Sequence, residues 1–135
     1  MFNSRGNTLR KLGRNSEALI DFNTAIELDP EFGIAYSNRG SIYDTLEKYE
    51  DALIDHTKSI ELDPLNEVPR NLRGITYLSL QRYSEALIDF NNAIELKPGY
   101  AAAFSNRGFT NMSLGLQGEA VADLSTAIGL GSGER

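Results

Sequence analysis

The chain has no cysteine among its 135 residues. That removes a disulfide framework and any thiolate metal site. Positive charge is also scarce: 13 Lys and Arg face 19 Asp and Glu, for a formal net charge of −6. A phosphate-binding surface needs a cationic footprint, so nucleic acid is not an expected partner. No apolar run approaches the ~20 residues that a membrane-spanning helix requires, and a membrane is not an expected partner either. Met1-Phe2-Asn3-Ser4-Arg5 leads into no apolar signal core. Missing signals and missing cysteines make the cytoplasm the expected location. Histidine occurs once, as His56, and there is no Gly-rich phosphate loop. Without a clustered titratable set, the expectation is a protein that is not an enzyme, with no catalytic residue, no metal and no cofactor.

What the sequence does have is one phrase used four times. It reads Ser-Glu-Ala-Leu-Ile-Asp-Phe-Asn-Thr-Ala-Ile-Glu-Leu-Asp-Pro from Ser16 to Pro30, and it returns from Glu50 to Pro64 and from Ser84 to Pro98. A worn copy runs from Gly118 to Ser132. Pro30, Pro64 and Pro98 stand 34 residues apart, as do Gly6, Gly40, Gly74 and Gly108, and Ala18, Ala52, Ala86 and Ala120. A fixed period of this size signals a solenoid in which each repeat packs on its neighbours. The expectation is a single array over residues 1–135, with repeats at approximately 1–32, 33–66, 67–100 and 101–134.

Each repeat reads as two amphipathic helices. In the second, Gly33 to Leu46 carries Tyr36, Gly40 and Tyr43 on one stripe. Tyr49 to Leu62 turns Ala52, Leu53, His56, Ser59 and Ile60 inward, at the i, i+3, i+4, i+7 spacing of a helix face. Asp63-Pro64 stops that helix, because proline disfavours helical geometry in the residue before it. A glycine inside a helix costs about 1 kcal/mol against alanine. Gly40 and its equivalents therefore imply close helix approach, read here as opposite Ala52 and its equivalents. Gly13 and Gly115 fit left-handed helix ends. Asn15, Ser16 and Ser84 are expected N-caps, as is Asn66, with Pro69 in the opening turn that follows.

The charged residues also keep the period. Asp21, Asp55, Asp89 and Asp123, with Glu27, Glu61 and Glu95, read as a solvated convex face rather than an acid/base pair. Arg5, Arg39, Arg73 and Arg107 read as stems buried between repeats, each paired with an acid such as Asp21 or Asp55. His56 falls in the slot of Phe22 and Phe90, which suggests a half-buried aromatic substitute. Gly131-Ser132-Gly133 reads as a flexible tail.

The pattern of Tyr36, Gly40, Tyr43, Ala52, Ser59 and Pro64, repeated as Gly74, Tyr77, Ala86, Phe90, Ala93 and Pro98, resembles the tetratricopeptide repeat (TPR). The resemblance covers essentially the whole chain. It implies an all-α, right-handed α-solenoid of helix–turn–helix units, with about eight helices. The fourth repeat departs from the pattern, with Asn111 for tyrosine, Leu124 for phenylalanine and Ser132 for proline, and is expected to be the least stable. TPR arrays usually close with an additional polar-faced helix, and none follows. The last helix, Gly118 to Gly129, is then expected to expose Val121, Leu124 and Ile128. From this follow two expectations: a segment of a longer protein, or a homo-oligomer through the C-terminal repeat.

The resemblance further implies that first helices line a concave groove holding a peptide or helix of a protein partner. The groove residues would be Asn3, Asn7, Asn38, Ser41, Asn71, Leu72, Ile75, Asn106, Phe109 and Met112. Its first half is amide-rich and its second half apolar. One TPR subclass clamps the C-terminal carboxylate of heat-shock chaperones with lysines, asparagines and an arginine. Asn7 and Asn38 match its asparagines, but Asn3, Val68 and Leu72 stand where its cations should be, so that activity is not expected. The expected function is a non-catalytic adaptor or scaffold segment. The rivals are a self-assembly segment stacking through its ends and a regulatory domain of a larger enzyme.

Overall fold

The structure, a computed structural model, describes residues 1–133. Among them are eight helices and no strand. They are α1 (Phe2–Lys11), α2 (Asn15–Leu28), α3 (Gly33–Thr45), α4 (Tyr49–Leu62), α5 (Glu67–Ser79), α6 (Tyr83–Leu96), α7 (Ala101–Ser113) and α8 (Gln117–Gly133). The chain divides into two compact units, Met1–Leu65 and Asn66–Arg135. The N-terminal unit packs α1 on α2, α2 on α3 and α3 on α4. The C-terminal unit packs α5 on α6, α6 on α7 and α7 on α8.

The turn inside every helix pair has one geometry. Gly13 N–H donates to Arg10 O at 3.0 Å and Arg14 N–H to Leu9 O at 2.9 Å. The same two bonds recur at Glu47 and Lys48, Gln81 and Arg82, and Gly115 and Leu116. Together they close the orphan carbonyls of the first helix in a Schellman motif. Its left-handed residue is Gly13 or Gly115 in the outer repeats, as the sequence suggests, but Glu47 and Gln81, both with φ of 59°, in the inner ones.

The helix starts differ from expectation. Asn15, Ser16 and Ser84 lie within α2 and α6, and none of them caps its helix. The cap positions are held by Arg14 and Arg82, whose guanidinium groups grip Glu17 and Glu85 in the first turn at 2.6–2.7 Å. A carboxylate drawn to a helix N-terminus is favoured by the dipole. Asn66 is a true cap: its side-chain oxygen accepts from Val68 N–H at 3.0 Å. Pro69 then sits in the first turn of α5, where a missing N–H costs nothing.

The second helices α2, α4 and α6 stop at Leu28, Leu62 and Leu96, one residue before Asp29, Asp63 and Lys97 and the prolines that follow. With Ser132 in place of proline, α8 runs on to Gly133. Gly131-Ser132-Gly133 is therefore helical rather than a loose tail, and the helix does not end at Gly129.

Each pair has a core with one large residue against a glycine. Ala18, Phe22 and Ala25 are buried on α2, and Ala86, Phe90 and Ala93 on α6. A Cβ at Gly6 would lie 2.7 Å from the Phe22 ring, and one at Gly74 would lie 2.5 Å from Phe90. At Gly40 the neighbour is His56 at 2.9 Å, and at Gly108 it is Leu124 at 2.9 Å. The nearest neighbour of each of these glycines is thus the residue in the aromatic slot. At Gly108 an alanine also approaches, through the Ala120 carbonyl at 3.3 Å.

Candidate functional site

Of the periodic carboxylates, the four aspartates are not part of a solvated face. Asp21, Asp55, Asp89 and Asp123 are buried, and each accepts two hydrogen bonds from one arginine. The pairs are Arg5–Asp21, Arg39–Asp55, Arg73–Asp89 and Arg107–Asp123, at 2.7–2.8 Å. Burying a carboxylate is costly unless it is paired, and a bidentate arginine meets that need. Aromatic rings complete each cradle. Arg39 lies 5.7 Å from the Tyr36 centroid and 5.9 Å from Tyr43, Arg73 5.8 Å from Tyr77, and Arg107 5.2 Å from Phe104. Hydrogen bonds from Arg5 hold the Asp21 carboxyl below its ordinary range. Those to Asp55 and Asp89 raise Arg39 and Arg73 further above theirs. The pairing is as the sequence suggests, but Arg5 is 63% exposed, whereas Arg39, Arg73 and Arg107 are mostly covered. Glu27, Glu61 and Glu95 remain exposed.

In the fourth repeat Asn111 replaces the tyrosine and is buried. Its side-chain N–H donates to Asp123 at 3.0 Å, so the substitution is matched to its surroundings.

His56 is fully buried rather than half-buried. Its Nδ1 lies 3.1 Å from Ser37 Oγ and its Nε2 lies 3.1 Å from Asp44 Oδ2. A carboxylate only accepts, so Nε2 carries a proton toward Asp44. Ser, His and Asp here resemble a nucleophile set in composition only. Ser37 and His56 have no exposed surface, so no substrate reaches the hydroxyl. Among the described residues, no group of three His, Asp, Glu or Cys is placed to hold a metal ion, and no helix is long and apolar enough to cross a membrane.

The first helices carry the expected groove residues, and the two units treat them differently. In the N-terminal unit Asn38 donates to Asn3 Oδ1 at 2.9 Å, and Asn7 accepts from Arg10 at 3.0 and 3.3 Å. Ser41 is half-buried on α3. In the C-terminal unit Asn106 donates to Asn71 Oδ1 at 3.0 Å. This bond brings one face of α5 beside one face of α7. Leu72 and Ile75 on α5 are half-buried. Phe109 and Met112 on α7 are 57% and 52% exposed. Tyr100 is half-buried, and burial pushes its phenol up, opposed by a hydrogen bond with the Asn71 side chain.

On α8, Val121 and Ile128 are exposed as expected. Leu124 is not: it fills the aromatic slot against Gly108. One feature escapes the sequence reading, an open apolar crevice lined by Phe2, Ala25, Leu28 and Phe32 in the N-terminal unit. Its signal is Phe32, which stands in phase with Asn66 and Tyr100.

The family model described as TPR repeat matches residues 6–46 and 74–115, and a second one, described as tetratricopeptide repeat, matches 34–64. No curated protein matches the sequence. Among solved structures, a crystal structure of MamA is 22% identical, with a TM-score of 0.87 over 98% of this chain and 78% of its own. The first TPR of Spaghetti (RPAP3), bound to HSP90 peptide SRMEEVD, is 25% identical, with a TM-score of 0.80 over 84% of this chain and 90% of its own. The second TPR of the same protein, bound to the same peptide, is 35% identical, with a TM-score of 0.71 over 73% of this chain and 91% of its own. The fold is thus that of helical solenoids built from helix–turn–helix repeats.

Proposed function

The chain belongs to the tetratricopeptide repeat family, and from that premise we propose that it is a non-catalytic binding module that seats a peptide or helix of a partner protein on its first helices. The observation that carries this reading is the exposure of Phe109 and Met112 on α7, with Leu72 and Ile75 half-buried on α5, the helix that Asn106 ties to α7. A few such anchors usually supply most of the binding energy, at ~2 kcal/mol or more each. Asn106 on α7 bonds to Asn71 on α5, which is buried. Asn106 donates one N–H to Asn71 and is partly exposed, so its carbonyl oxygen and second N–H are left for a peptide backbone. Asn3, Asn7, Asn38 and Ser41 form the polar counterpart on α1 and α3.

The two Spaghetti domains, each described with a bound peptide, support peptide recognition as the class. The chemistry of their peptide does not carry over. SRMEEVD is acidic, and this chain has Asn3, Val68 and Leu72 at the cationic clamp positions. The preferred ligand is one with large apolar side chains. Selection from a random peptide library tests this. Selected sequences should carry aromatic or aliphatic anchors, and their affinity should fall at least tenfold for Phe109→Asp and Met112→Asp at unchanged helicity. Affinity that survives both substitutions, or selection of acidic tails of the SRMEEVD type, would remove the α5–α7 face as the binding surface.

A further inference from the structure

Every repeat clasps a buried aspartate with an arginine, but the inner repeats also lay a tyrosine against that arginine. Arg39 lies 5.9 Å from the Tyr43 centroid and Arg73 lies 5.8 Å from Tyr77, and both tyrosines are half-buried. The same phase holds Leu9 in the first repeat and Asn111 in the fourth. An open slot stands at each of these two places. The first, of about 380 Å³, is lined by Arg5, Leu9 and Ile20. The second, of about 300 Å³, is lined by Arg107, Asn111 and Ala122. The slots thus fall where the inner repeats place a ring.

The fourth repeat cuts its slot back at a second position. Residue 122 is alanine, where Ile20, Ile54 and Ile88 stand in the other three repeats. The clasp beneath is kept. Arg107 still donates twice to Asp123, and Asn111 donates to the same carboxylate at 3.0 Å. Arg39 has two rings beside it, Tyr36 and Tyr43, whereas among the described residues Arg107 has Phe104 alone. Half-buried Leu87 adds an apolar wall to the slot, and exposed Asn91 and Glu119 add polar groups. This face stays open where another repeat follows. Ile20 and Ile88, in the phase of Ala122, are 64% and 59% exposed although α3 packs on α2 and α7 packs on α6.

We propose that the slot between α6, α7 and α8 takes a tyrosine side chain of a partner peptide, its ring against the Arg107 guanidinium as Tyr43 lies against Arg39. A guanidinium is attracted to the face of such a ring. The phenol has an apolar body for Leu87 and Ala122 and a polar tip for Asn91 or Glu119, the combination that makes tyrosine a common interface anchor. The slot shares no residue with Leu72, Ile75, Phe109 and Met112, so the two surfaces stand or fall separately.

Selection from a random peptide library on the Phe109→Asp chain, whose α5–α7 face is disabled, tests the slot by itself. Selected peptides should share a tyrosine, and its replacement by leucine should weaken binding at least tenfold. Asn111→Tyr gives the fourth repeat the ring of its sisters and should weaken the same peptides at least tenfold at unchanged helicity. Ala122→Ile changes an exposed position to the residue of the other repeats, leaves the Asp123 clasp untouched, and should act in the same direction. Selection of no peptide, or of peptides that share no tyrosine, would overturn the proposal. So would affinity that survives both substitutions.

Discussion

The two units use the same positions for opposite chemistry. In the N-terminal unit the outer wall of the first helices carries Asn7, Arg10, Ser41 and Asp44. In the C-terminal unit the same phases carry Ile75, Leu78, Phe109 and Met112. Asn7 is bonded to Arg10, and Asp44 to His56. Phe109 and Met112 have half or more of their surface exposed. Beneath these walls the scaffold scarcely changes, with a glycine under a large side chain, a buried alanine and an arginine clasping a buried aspartate in every repeat. The period is thus kept by what is buried, and the wall is free to differ.

The strongest test of that division removes one clasp from each unit. Arg73 is mostly covered, lies over Tyr77 and holds Asp89, which is 1% exposed. Arg73→Ala leaves that carboxylate buried without its counter-charge, a loss of about 3–5 kcal/mol where no water enters. Arg5 is open to solvent, so water can replace it at Asp21, and Arg5→Ala should cost clearly less. Urea midpoints followed by helicity compare the two. Equal losses would mean that cover over the arginine does not set the worth of the pair. Peptide affinity of the folded Arg73→Ala protein should be unchanged.

The scaffold is legible in the sequence because its residues recur in phase and each has a steric reason. α4 runs from Tyr49 to Leu62 as read, and Asn66 caps α5. What is less legible is how deeply a periodic residue is buried. Asp21 and its equivalents repeat as faithfully as Glu27 and its equivalents, yet the first set is buried and the second exposed. The buried set is the one clasped by an arginine 16 residues earlier. Glu47 and Gln81 hide left-handed turns because both are ordinary helix residues, and only their phase with Gly13 and Gly115 reveals the strain. The wall residues keep no period, so sequence assigns them a side of the array but not their bonds. The Asn3–Asn38 and Asn71–Asn106 pairs join different phases of neighbouring repeats and come from geometry alone.

The glycines give the next largest effect and rank the slots. Alanine gains about 1 kcal/mol of helix propensity over glycine. At Gly74 the added carbon would lie 2.5 Å from the buried Phe90 ring, and overpacking of that kind costs about 1–3 kcal/mol. Gly74→Ala should therefore lower the midpoint. Gly40→Ala should do the same against His56, which is tethered at both nitrogens. Gly108→Ala meets Leu124, which is only half-buried and can give, and the Ala120 carbonyl at 3.3 Å, and should cost less than the other two. A midpoint that rises for all three would show that the slots have room, and the close-packing account would fail in both units.

The smallest effect sits where the units differ inside the scaffold. The N-terminal unit has His56 bonded to Ser37, whereas the C-terminal unit has Phe90 in that slot and Asn71 in the phase of Ser37. His56→Phe keeps the ring but strands the Ser37 hydroxyl, which is fully buried, and a stranded buried group costs about 1–3 kcal/mol. Ser37→Ala removes one partner of Nδ1 and should cost about 1 kcal/mol. Made together, the two changes leave neither group unsatisfied, and Phe22 under Gly6 shows that a phenyl ring fits such a slot. Asp44 is partly exposed and can turn to water. The double variant should therefore be no less stable than His56→Phe alone, with a favourable coupling of about 1 kcal/mol in the cycle. Strict additivity would mean that Ser37 finds another acceptor within α3. The hydrogen bond to His56 would then be incidental, and the N-terminal slot would differ from its sister only in ring chemistry.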